Sequence, residues 1–328
     1  MLTPMNEDIA RTCLVTDPRV KSFTMLSRHP GVAARPIIID LSRRHSPHAT
    51  LDESELTGRC PSGIRCDFFQ GVNPPAWGTT AGMDFTGRVV IITGAARGLG
   101  RASAARFYEQ GASVAVNARD QARADEVVRA LGARALALPG DITADGIAAE
   151  IVRKTLDRFG RVDILVNNAA HAQSTRIELL GAEEWRLALE TNMTAPFLLI
   201  KAALPAMKAQ NYGRIINISS SAGRSVSTLG GAHYTASKTG LLGLTRAAAK
   251  ELGKFGVTVN AICPGMIDTE LTREHASDEL LERLAASFPV PRLGRPLEVA
   301  DLICFVASEA AGFITGASFD INGGDLMM

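Results

Sequence analysis

The sequence predicts an α/β fold in which a doubly wound parallel sheet follows an N-terminal extension. From Met83 onward, short apolar runs of strand length alternate with longer segments of helical character. This order is typical of parallel sheets that are covered by helices on both faces. Gly111, Gly132 and Gly160 each follow a helical segment, where a glycine commonly ends a helix. A glycine-rich turn joins the first strand to the first helix of the series.

The composition is that of an ordinary globular protein. Of 328 residues, 46% are hydrophobic and 21% charged, and the net charge is +1. Nothing in this balance predicts nucleic acid or an anionic membrane as a partner. No apolar run approaches the ~18 residues of a membrane span, and the first 13 residues include acids and lack the apolar core of a secretory signal. The five cysteines form no dense framework, so we expect a cytoplasmic protein.

Residues 1–82 differ in composition from the rest of the chain. They contain eight of the 15 prolines and three of the five cysteines, and no hydrophobic period persists for more than a few residues. We therefore expect a poorly ordered extension, a linker at 74–82, and then a single domain at 83–328. Residues 37–39 predict a short strand that stands alone.

One group within the extension has the ligand types of a zinc site, namely His45, His48, Cys60 and Cys66. The gap of five residues between the two cysteines is unusual for such a site. A poorly ordered tail is therefore the favoured interpretation, and we assign no metal ligands in the chain.

The domain divides into strands and helices in a regular order. Predicted strands occupy residues 88–93, 113–117, 134–138, 162–166, 214–218, 257–262 and 317–321. Predicted helices occupy residues 99–110, 121–131, 145–159, 182–209, 234–254 and 296–308. The helix at 182–209 has to absorb Pro196 and Pro205, so we expect it to bend. Residues 268–288 predict a separate helical flap.

Residues 93–100 form the glycine-rich turn, with the spacing Gly-x-x-x-Gly-x-Gly. Glycines allow a tight turn there and let the backbone approach a pyrophosphate. The following helix supplies N–H donors and the positive end of its dipole. As a bare pattern this is weak, but its position between a strand and a helix favours a phosphate-binding loop.

Tyr234 and Lys238 lie four residues apart in a segment that predicts helix, so both side chains share one face. A phenol titrates near ~10 and is a poor base at neutral pH. A nearby fixed positive charge lowers the pKa of a phenol, and the pair then makes a group that gives or takes a proton beside a carbonyl or alcohol.

These motifs together resemble the short-chain dehydrogenase/reductase family. They comprise the glycine loop, Asn167-Asn168-Ala169-Ala170, Asn192, the serines at 219–221, Tyr234-x-x-x-Lys238 and Pro264-Gly265, in the family's order. The resemblance covers Met83 to the C-terminus, and the chain looks most like 3-oxoacyl-[acyl-carrier-protein] reductases. It implies a Rossmann-type sheet of seven parallel strands and a nicotinamide cofactor. Ala170 departs from the usual Asn-Asn-Ala-Gly, and because it adds only a methyl group we expect it to be tolerated.

The resemblance also implies a catalytic tetrad of Asn192, Ser220, Tyr234 and Lys238. Tyr234 would transfer the proton, Ser220 would polarise the substrate oxygen, and Asn192 would hold a water that links Lys238 to solvent. Neighbouring residues in a strand face opposite sides, so only one serine of the run can serve. The pattern Ser-x-x-Gly favours Ser220, whereas counting back thirteen residues from the tyrosine selects Ser221.

Cofactor contacts are expected along the same edge of the sheet. The residues assigned to them are Gly94, Arg97, Gly98, Leu99, Gly100, Arg119, Asp141, Ile142, Asn167, Tyr234, Lys238, Pro264, Gly265 and Thr269. The family's acidic position after strand two falls on Ala118, which neither binds a ribose hydroxyl nor repels a phosphate. Arg97 and Arg119 would then favour the 2′-phosphate of NADP(H).

The sequence thus predicts an NADP(H)-dependent oxidoreductase that interconverts a ketone and a secondary alcohol, with a 3-oxoacyl thioester as one candidate substrate. A sugar, polyol or steroid dehydrogenase of the same family remains open, as does a non-catalytic dinucleotide-binding regulator. The family resemblance implies a homodimer or homotetramer. His171 and His233 are interpreted as lining or surface residues beside the pocket, and Cys263 and Cys304 as buried core.

Overall fold

The computed structural model describes residues 22–26, 36–40 and 83–328. The chain divides into two units, residues 1–78 and residues 79–328. In the first unit, β1 (Ser22–Leu26) and β2 (Pro36–Asp40) pair as an antiparallel hairpin, with Thr24 opposite Ile38. The prediction that the strand at 37–39 stands alone is therefore wrong. Its partner combines polar Ser22 and Thr24 with apolar neighbours, an alternation too short to stand out in the sequence.

Other predictions for the extension lie outside the described residues. These are its poor order, the linker at 74–82, and the metal site considered at His45, His48, Cys60 and Cys66.

The second unit contains a sheet of seven parallel strands in the order β5-β4-β3-β6-β7-β8-β9. This arrangement confirms the predicted doubly wound, Rossmann-type fold. The strands are β3 (Val89–Ile92), β4 (Ser113–Ala118), β5 (Ala135–Pro139), β6 (Ile164–Asn167), β7 (Gly213–Ile218), β8 (Val257–Pro264) and β9 (Ser318–Ile321). β3, β4, β6, β7 and β8 are buried along nearly their whole length, as expected for strands covered on both faces, whereas the edge strand β5 is only partly buried.

Helices connect the strands and cover the sheet. They are α1 (Gly98–Glu109), α2 (Gln121–Leu131), α3 (Ile147–Phe159), α4 (Ala182–Leu189), α5 (Ala195–Gln210), α6 (Ala232–Leu252), α7 (Glu270–His275), α8 (Asp278–Ser287) and α9 (Pro296–Ala307). The predicted helix at 182–209 is α4 and α5 joined by one π-helical turn at Glu190–Thr194, which gives the expected irregularity a specific form. The predicted flap at 268–288 consists of α7 and α8.

Two hydrophobic clusters pack on the sheet. One includes Phe107 of α1 and Ile303 of α9, and the other includes Ile151 of α3, Leu199 of α5 and residues of α6. Cys263 and Cys304 are fully buried, as predicted.

The order in which strands are added to the sheet reverses between β3 and β6, which are parallel, hydrogen-bonded neighbours. In open α/β sheets such a switch point leaves a crevice beyond the carboxyl ends of the strands, where ligands bind. The glycine loop follows β3 and the Asn-Asn-Ala-Ala motif follows β6, so the fold places both predicted motifs at this crevice.

Among the residues that the structure describes, no helix has both the length and the apolar character needed to cross a bilayer.

Candidate active site

The glycine loop runs from the end of β3 into α1 and packs closely against its surroundings. Gly94 has a φ of +62°, and a Cβ on it would lie 2.9 Å from the Cα of Ala169. A Cβ on Gly100 would lie 2.5 Å from the carbonyl oxygen of Gly94. Side chains at these two positions would have to displace backbone, so glycine is required at both.

The N-terminus of α1 fits a phosphate group. Its first turn contains no acidic residue, and the N-cap Arg97 makes no side-chain hydrogen bond to the helix. The first N–H groups of a helix have no partner within the helix, and the dipole favours an anion beside them. Leu99, in the same turn, packs against the hydrophobic cluster of α1 and α9. The loop can therefore hold a pyrophosphate.

Thr93 and Asn168 fix the shape of the loop, although the sequence analysis assigned neither to the site. The Thr93 hydroxyl oxygen accepts hydrogen bonds from the backbone N–H groups of Asn168 and Ala169, each at 3.0 Å. The Asn168 amide donates to the carbonyl oxygens of Thr93 at 2.9 Å and Gly94 at 3.2 Å. The motif does contain a signal for Asn168, because Asn168 directly follows Asn167, the asparagine predicted to contact the cofactor.

Asn167 faces away from the loop. Its side chain is buried and donates to the Asn217 side chain at 2.8 Å, which in turn donates to the Thr245 hydroxyl at 2.9 Å. Consecutive residues of a strand point to opposite sides, so Asn167 and Asn168 have different roles. A ribose contact predicted for Asn167 would have to come from its backbone.

Tyr234 lies in the first turn of α6, and Lys238 lies one turn later on the same face. The Lys238 Nζ donates to the Ile218 carbonyl oxygen at 2.7 Å and lies 5.7 Å from the centre of the Tyr234 ring. Burial lowers the pKa of Lys238 to about 8. Nearly all of the lysine is removed from solvent, with 2% exposed, and a charged ammonium is unfavourable there.

The expected lowering of the Tyr234 pKa by Lys238 is not what this structure shows. Burial raises the pKa of the Tyr234 phenol, and the neighbouring Ser220 side chain opposes this by lowering it. The ammonium is turned toward a backbone carbonyl of β7, so desolvation of the phenol dominates.

Ser220 is the serine of the run that affects the tyrosine. Its side chain lowers the pKa of the Tyr234 phenol, and its oxygen accepts from the Ala222 N–H at 3.1 Å. Ser219 instead donates to the Lys238 carbonyl oxygen at 2.9 Å, and Ser221 begins a 3₁₀ turn. This arrangement supports Ser220 over Ser221 as the partner of the tyrosine.

Asn192 lies in the π-helical turn between α4 and α5, and such turns are frequent at functional sites. Its Oδ1 accepts from the His171 N–H at 2.8 Å, and its Nδ2 donates to the His171 carbonyl oxygen and the Ser237 hydroxyl, each at 2.9 Å. Both polar atoms of the Asn192 side chain are thus hydrogen-bonded to other residues of the protein. Residue 196 is proline, which has no N–H to donate in the first turn of α5.

The loop after β8 folds back toward the glycine loop. A Cβ on Gly98 would lie 3.5 Å from the Thr269 side chain, so the two loops are in contact. The Thr269 hydroxyl oxygen caps α7 by accepting from the Thr272 N–H. Gly265, after Pro264, passes so close to Asn322 that a Cβ would lie 2.7 Å from its side chain. The structure therefore brings Pro264, Gly265 and Thr269 to the edge that carries the phosphate loop.

The far end of the crevice carries the residues assigned to the adenosine. Ala118 ends β4 and is buried, whereas Arg119 is exposed and forms no ion pair within residues 83–328. Arg97 forms an ion pair with Glu274 of the flap. Hydrogen bonds from Thr143 hold the pKa of the Asp141 carboxyl below its usual range, and the following residue, Ile142, is buried. Of the two arginines, Arg119 is the one that forms no ion pair within residues 83–328, although its charge contributes to the lowered pKa of Asp141.

Known proteins resemble the chain over most of its length. A family profile described as Enoyl-(Acyl carrier protein) reductase matches residues 94–325. The 3-oxoacyl-[acyl-carrier-protein] reductase of Synechocystis is 39% identical over 247 residues, covering 74% of this chain and 98% of the relative. The chain belongs to the short-chain dehydrogenase/reductase family. It is therefore an oxidoreductase by family.

Two further relatives extend the comparison. An uncharacterized oxidoreductase of Thermotoga maritima is 41% identical over 250 residues, covering 74% of this chain and 98% of the relative. The 3-oxoacyl-[acyl-carrier-protein] reductase FabG of Escherichia coli is 37% identical over 246 residues, covering 75% of this chain and all of the relative. About a quarter of this short-chain dehydrogenase/reductase thus has no counterpart in the Escherichia coli protein.

An open cleft of about 540 Å³ lies beside the motif that follows β6. Residues of that segment and of α4 line it: His171, Gln173, Thr175, Glu183, Glu184 and Leu187. His171 therefore lines a cleft, as the sequence predicts, while His233 is completely buried.

Proposed function

We propose that this chain reduces a ketone to a secondary alcohol with NADPH and catalyses the reverse oxidation with NADP⁺. The observation that carries the proposal is the position of Ser220 beside the Tyr234 phenol, whose pKa it lowers, at the same sheet edge as a glycine loop suited to a pyrophosphate. Two neighbouring hydroxyl groups provide donors for a carbonyl oxygen that becomes negatively charged.

The residues of the chain then have distinct tasks. The nicotinamide cofactor supplies or accepts the hydride. Tyr234 donates its proton to the substrate oxygen, and Ser220 donates a hydrogen bond that polarises the carbonyl. The raised pKa of Tyr234 keeps the phenol protonated at neutral pH, which suits a proton donor in the direction of reduction.

Lys238 and Asn192 serve the proton path in this proposal. Below its pKa of about 8, the Lys238 ammonium is charged and stabilises the phenolate that remains after proton transfer. Asn192 would hold a water that resupplies the proton. Because the ammonium now donates to Ile218, its contact with ribose hydroxyls would require a rotation of the lysine side chain.

We infer NADP(H) as the cofactor from the end of β4. Ala118 offers no carboxylate to bind a ribose hydroxyl or to repel a phosphate, and Arg119 beside it forms no ion pair within residues 83–328. An unpaired guanidinium suits a phosphate through charge-assisted hydrogen bonds. Arg97 supports the same preference less directly, because Glu274 already pairs with it.

The substrate class that we propose is a 3-oxoacyl thioester. Support comes from the relatives of Synechocystis and Escherichia coli, whose names state this activity and which match this chain over at least 98% of their lengths. A sugar, polyol or steroid ketone is the alternative within the family. A pure dinucleotide-binding regulator would not require Ser220, Tyr234 and Lys238 together.

A kinetic screen of the full chain separates these possibilities. NADPH oxidation is measured with a 3-oxoacyl thioester, a trans-2-enoyl thioester, a keto sugar and a steroid ketone, and each assay is repeated with NADH. We expect the highest kcat/KM for the 3-oxoacyl thioester with NADPH. Tyr234→Phe is the matched control, because it keeps the ring and removes the proton donor. Turnover of the enoyl thioester alone, or no turnover of any ketone, would contradict the proposal.

We also propose a homodimer or homotetramer. Apolar side chains on α4 and α5, including Trp185, Phe197 and Leu198, are exposed, and association of these helices between copies would cover them. Light scattering of the full chain tests this proposal, which a monomer at micromolar concentration would contradict.

A further inference from the structure

Three side chains from separate segments converge next to the catalytic tyrosine. His171 follows β6, Glu184 lies on α4, and His233 directly precedes Tyr234 on α6. One possible ligand atom from each of the three lies within 4.8 Å of the other two. The His233 Nε2 and the Glu184 Oε1 are 3.4 Å apart.

Three buried ring nitrogens of this cluster form no hydrogen bond with any residue that the structure describes. His233 is completely buried, and neither of its ring nitrogens makes a hydrogen bond with any described residue; the same holds for the buried His171 Nε2. Buried polar atoms are nearly always paired in native proteins, and each exception calls for an explanation. By contrast, both ring nitrogens of His275 lie within 2.9 Å of carbonyl oxygens.

We propose that His171, Glu184 and His233 bind a divalent transition-metal ion of the zinc type. Imidazole nitrogens and a carboxylate oxygen are ligands of such ions. Two ligand atoms at about 2.05 Å from a tetrahedral zinc ion stand about 3.3 Å apart. The separation of 3.4 Å between His233 and Glu184 is close to this value, so a modest rotation of the His171 ring completes the set.

Thr175 supports the site from outside. Its hydroxyl donates to the Glu184 Oε1 at 2.7 Å. Metal-binding carboxylates are commonly oriented by such outer hydrogen bonds. Glu184 thus has its carboxylate held in place before any ion arrives.

The cleft of about 540 Å³ provides both an entry path and an open position. His171 and Glu184 belong to its lining, so an ion can reach the cluster from solvent. Three protein ligands leave a fourth coordination position for water or another oxygen ligand. A bound ion would also tie the segment after β6 to α4 and to the start of α6, which carries Tyr234.

Cobalt(II) binding to the full chain tests the site, because cobalt replaces zinc and reports tetrahedral coordination through its visible absorption. The chain is freed of metal with a chelator, and bound Co²⁺ is counted by equilibrium dialysis. The variants are His171→Ala and Glu184→Gln. The control is the double change His45→Ala with His48→Ala, which removes two of the four candidate ligands in the extension.

We expect His171→Ala to abolish one equivalent of bound Co²⁺ and its visible spectrum, while the His45/His48 control retains both. Glu184→Gln should weaken the affinity for Co²⁺ at least about tenfold. Loss of a residue that only orients a metal ligand already costs about this much, and Glu184 is proposed as a ligand itself. Zn²⁺ should also raise the melting temperature of the unmodified chain, and raise that of Glu184→Gln by less at the same Zn²⁺ concentration, a readout that stays valid where His171→Ala fails to fold.

The proposal is overturned if the unmodified chain binds no Co²⁺ at micromolar concentration. It is equally overturned if Co²⁺ binding disappears in the His45/His48 control and persists in Glu184→Gln.

Discussion

Replacement of Lys238 by methionine should change the pH dependence of stability in a way that identifies a buried ammonium. The folded protein lowers the pKa of this lysine from 10.5 to about 8, so the unfolded chain binds the proton more tightly. The charged form therefore destabilises the fold fully below pH 8, and this effect fades as the pH rises from about 8 to 10.5. Methionine is similar in length and carries no charge.

The magnitude follows from the two pKa values. At pH 7 the lysine lowers the free energy of unfolding by about 3 kcal/mol, and at pH 10 by about 1 kcal/mol. Methionine also removes the hydrogen bond to the Ile218 carbonyl oxygen, and an unpaired buried acceptor costs about 1–3 kcal/mol at either pH. Lys238→Met should thus be more stable than the original by about 0–2 kcal/mol at pH 7.

The pH dependence is the more decisive quantity, because the cost of the lost hydrogen bond cancels from it. Between pH 7 and pH 10 the original protein should gain about 2 kcal/mol relative to Lys238→Met. Urea denaturation without cofactor, at both pH values, measures this change. Lys250, an exposed lysine of the same helix, supplies the control Lys250→Met, for which no such change is expected. A stability difference between Lys238→Met and the original that stays constant with pH would refute the buried ammonium.

Three further predictions concern the active site. Tyr234→Phe should lower kcat roughly a hundred- to ten-thousandfold while cofactor binding by fluorescence survives; activity above about a tenth of the original would contradict the proton role. Ser220→Ala should lose more activity than Ser221→Ala, and the reverse order would assign the role to Ser221. NADPH should be preferred over NADH by at least about tenfold in kcat/KM. The double change Ala118→Asp with Arg119→Ala should reverse this cofactor preference. Equal use of both cofactors by the original protein would contradict the proposed NADP(H) dependence.

The sequence predicts the sheet well, because each strand carries its own local signal. The apolar runs after Arg88 and after Gly256 need both faces covered, and the structure covers them. The helix Gln121–Leu131 is predicted to the residue, since Asp120 caps its start and Gly132 follows its end. The π-helical turn at Glu190–Thr194 carries no such signal, and the prolines nearby indicate only that the helix is irregular.

Parts of the site depend on contacts between distant segments, which a pattern does not contain. Arg97 and Glu274 are 177 positions apart, so nothing local indicates that the flap holds this arginine. The environment of Lys238 likewise follows from the position of Ile218, twenty residues earlier on β7. The motif Asn167-Asn168 identifies the right segment, yet only the direction of the strand decides which asparagine faces the loop.

The ion pair between Arg97 and Glu274 has a consequence for how the flap and the cofactor affect one another. A phosphate placed at Arg97 would meet the Glu274 carboxylate as well, so the phosphate and the docked position of α7 disfavour each other. Such an effect is reciprocal: whatever holds α7 in place weakens the phosphate contact by the same factor. Both side chains are about half exposed, at 41% and 51%. Exposed pairs contribute about 0–1 kcal/mol, so a substrate that orders the flap would change discrimination between the two nicotinamide dinucleotides by at most about fivefold.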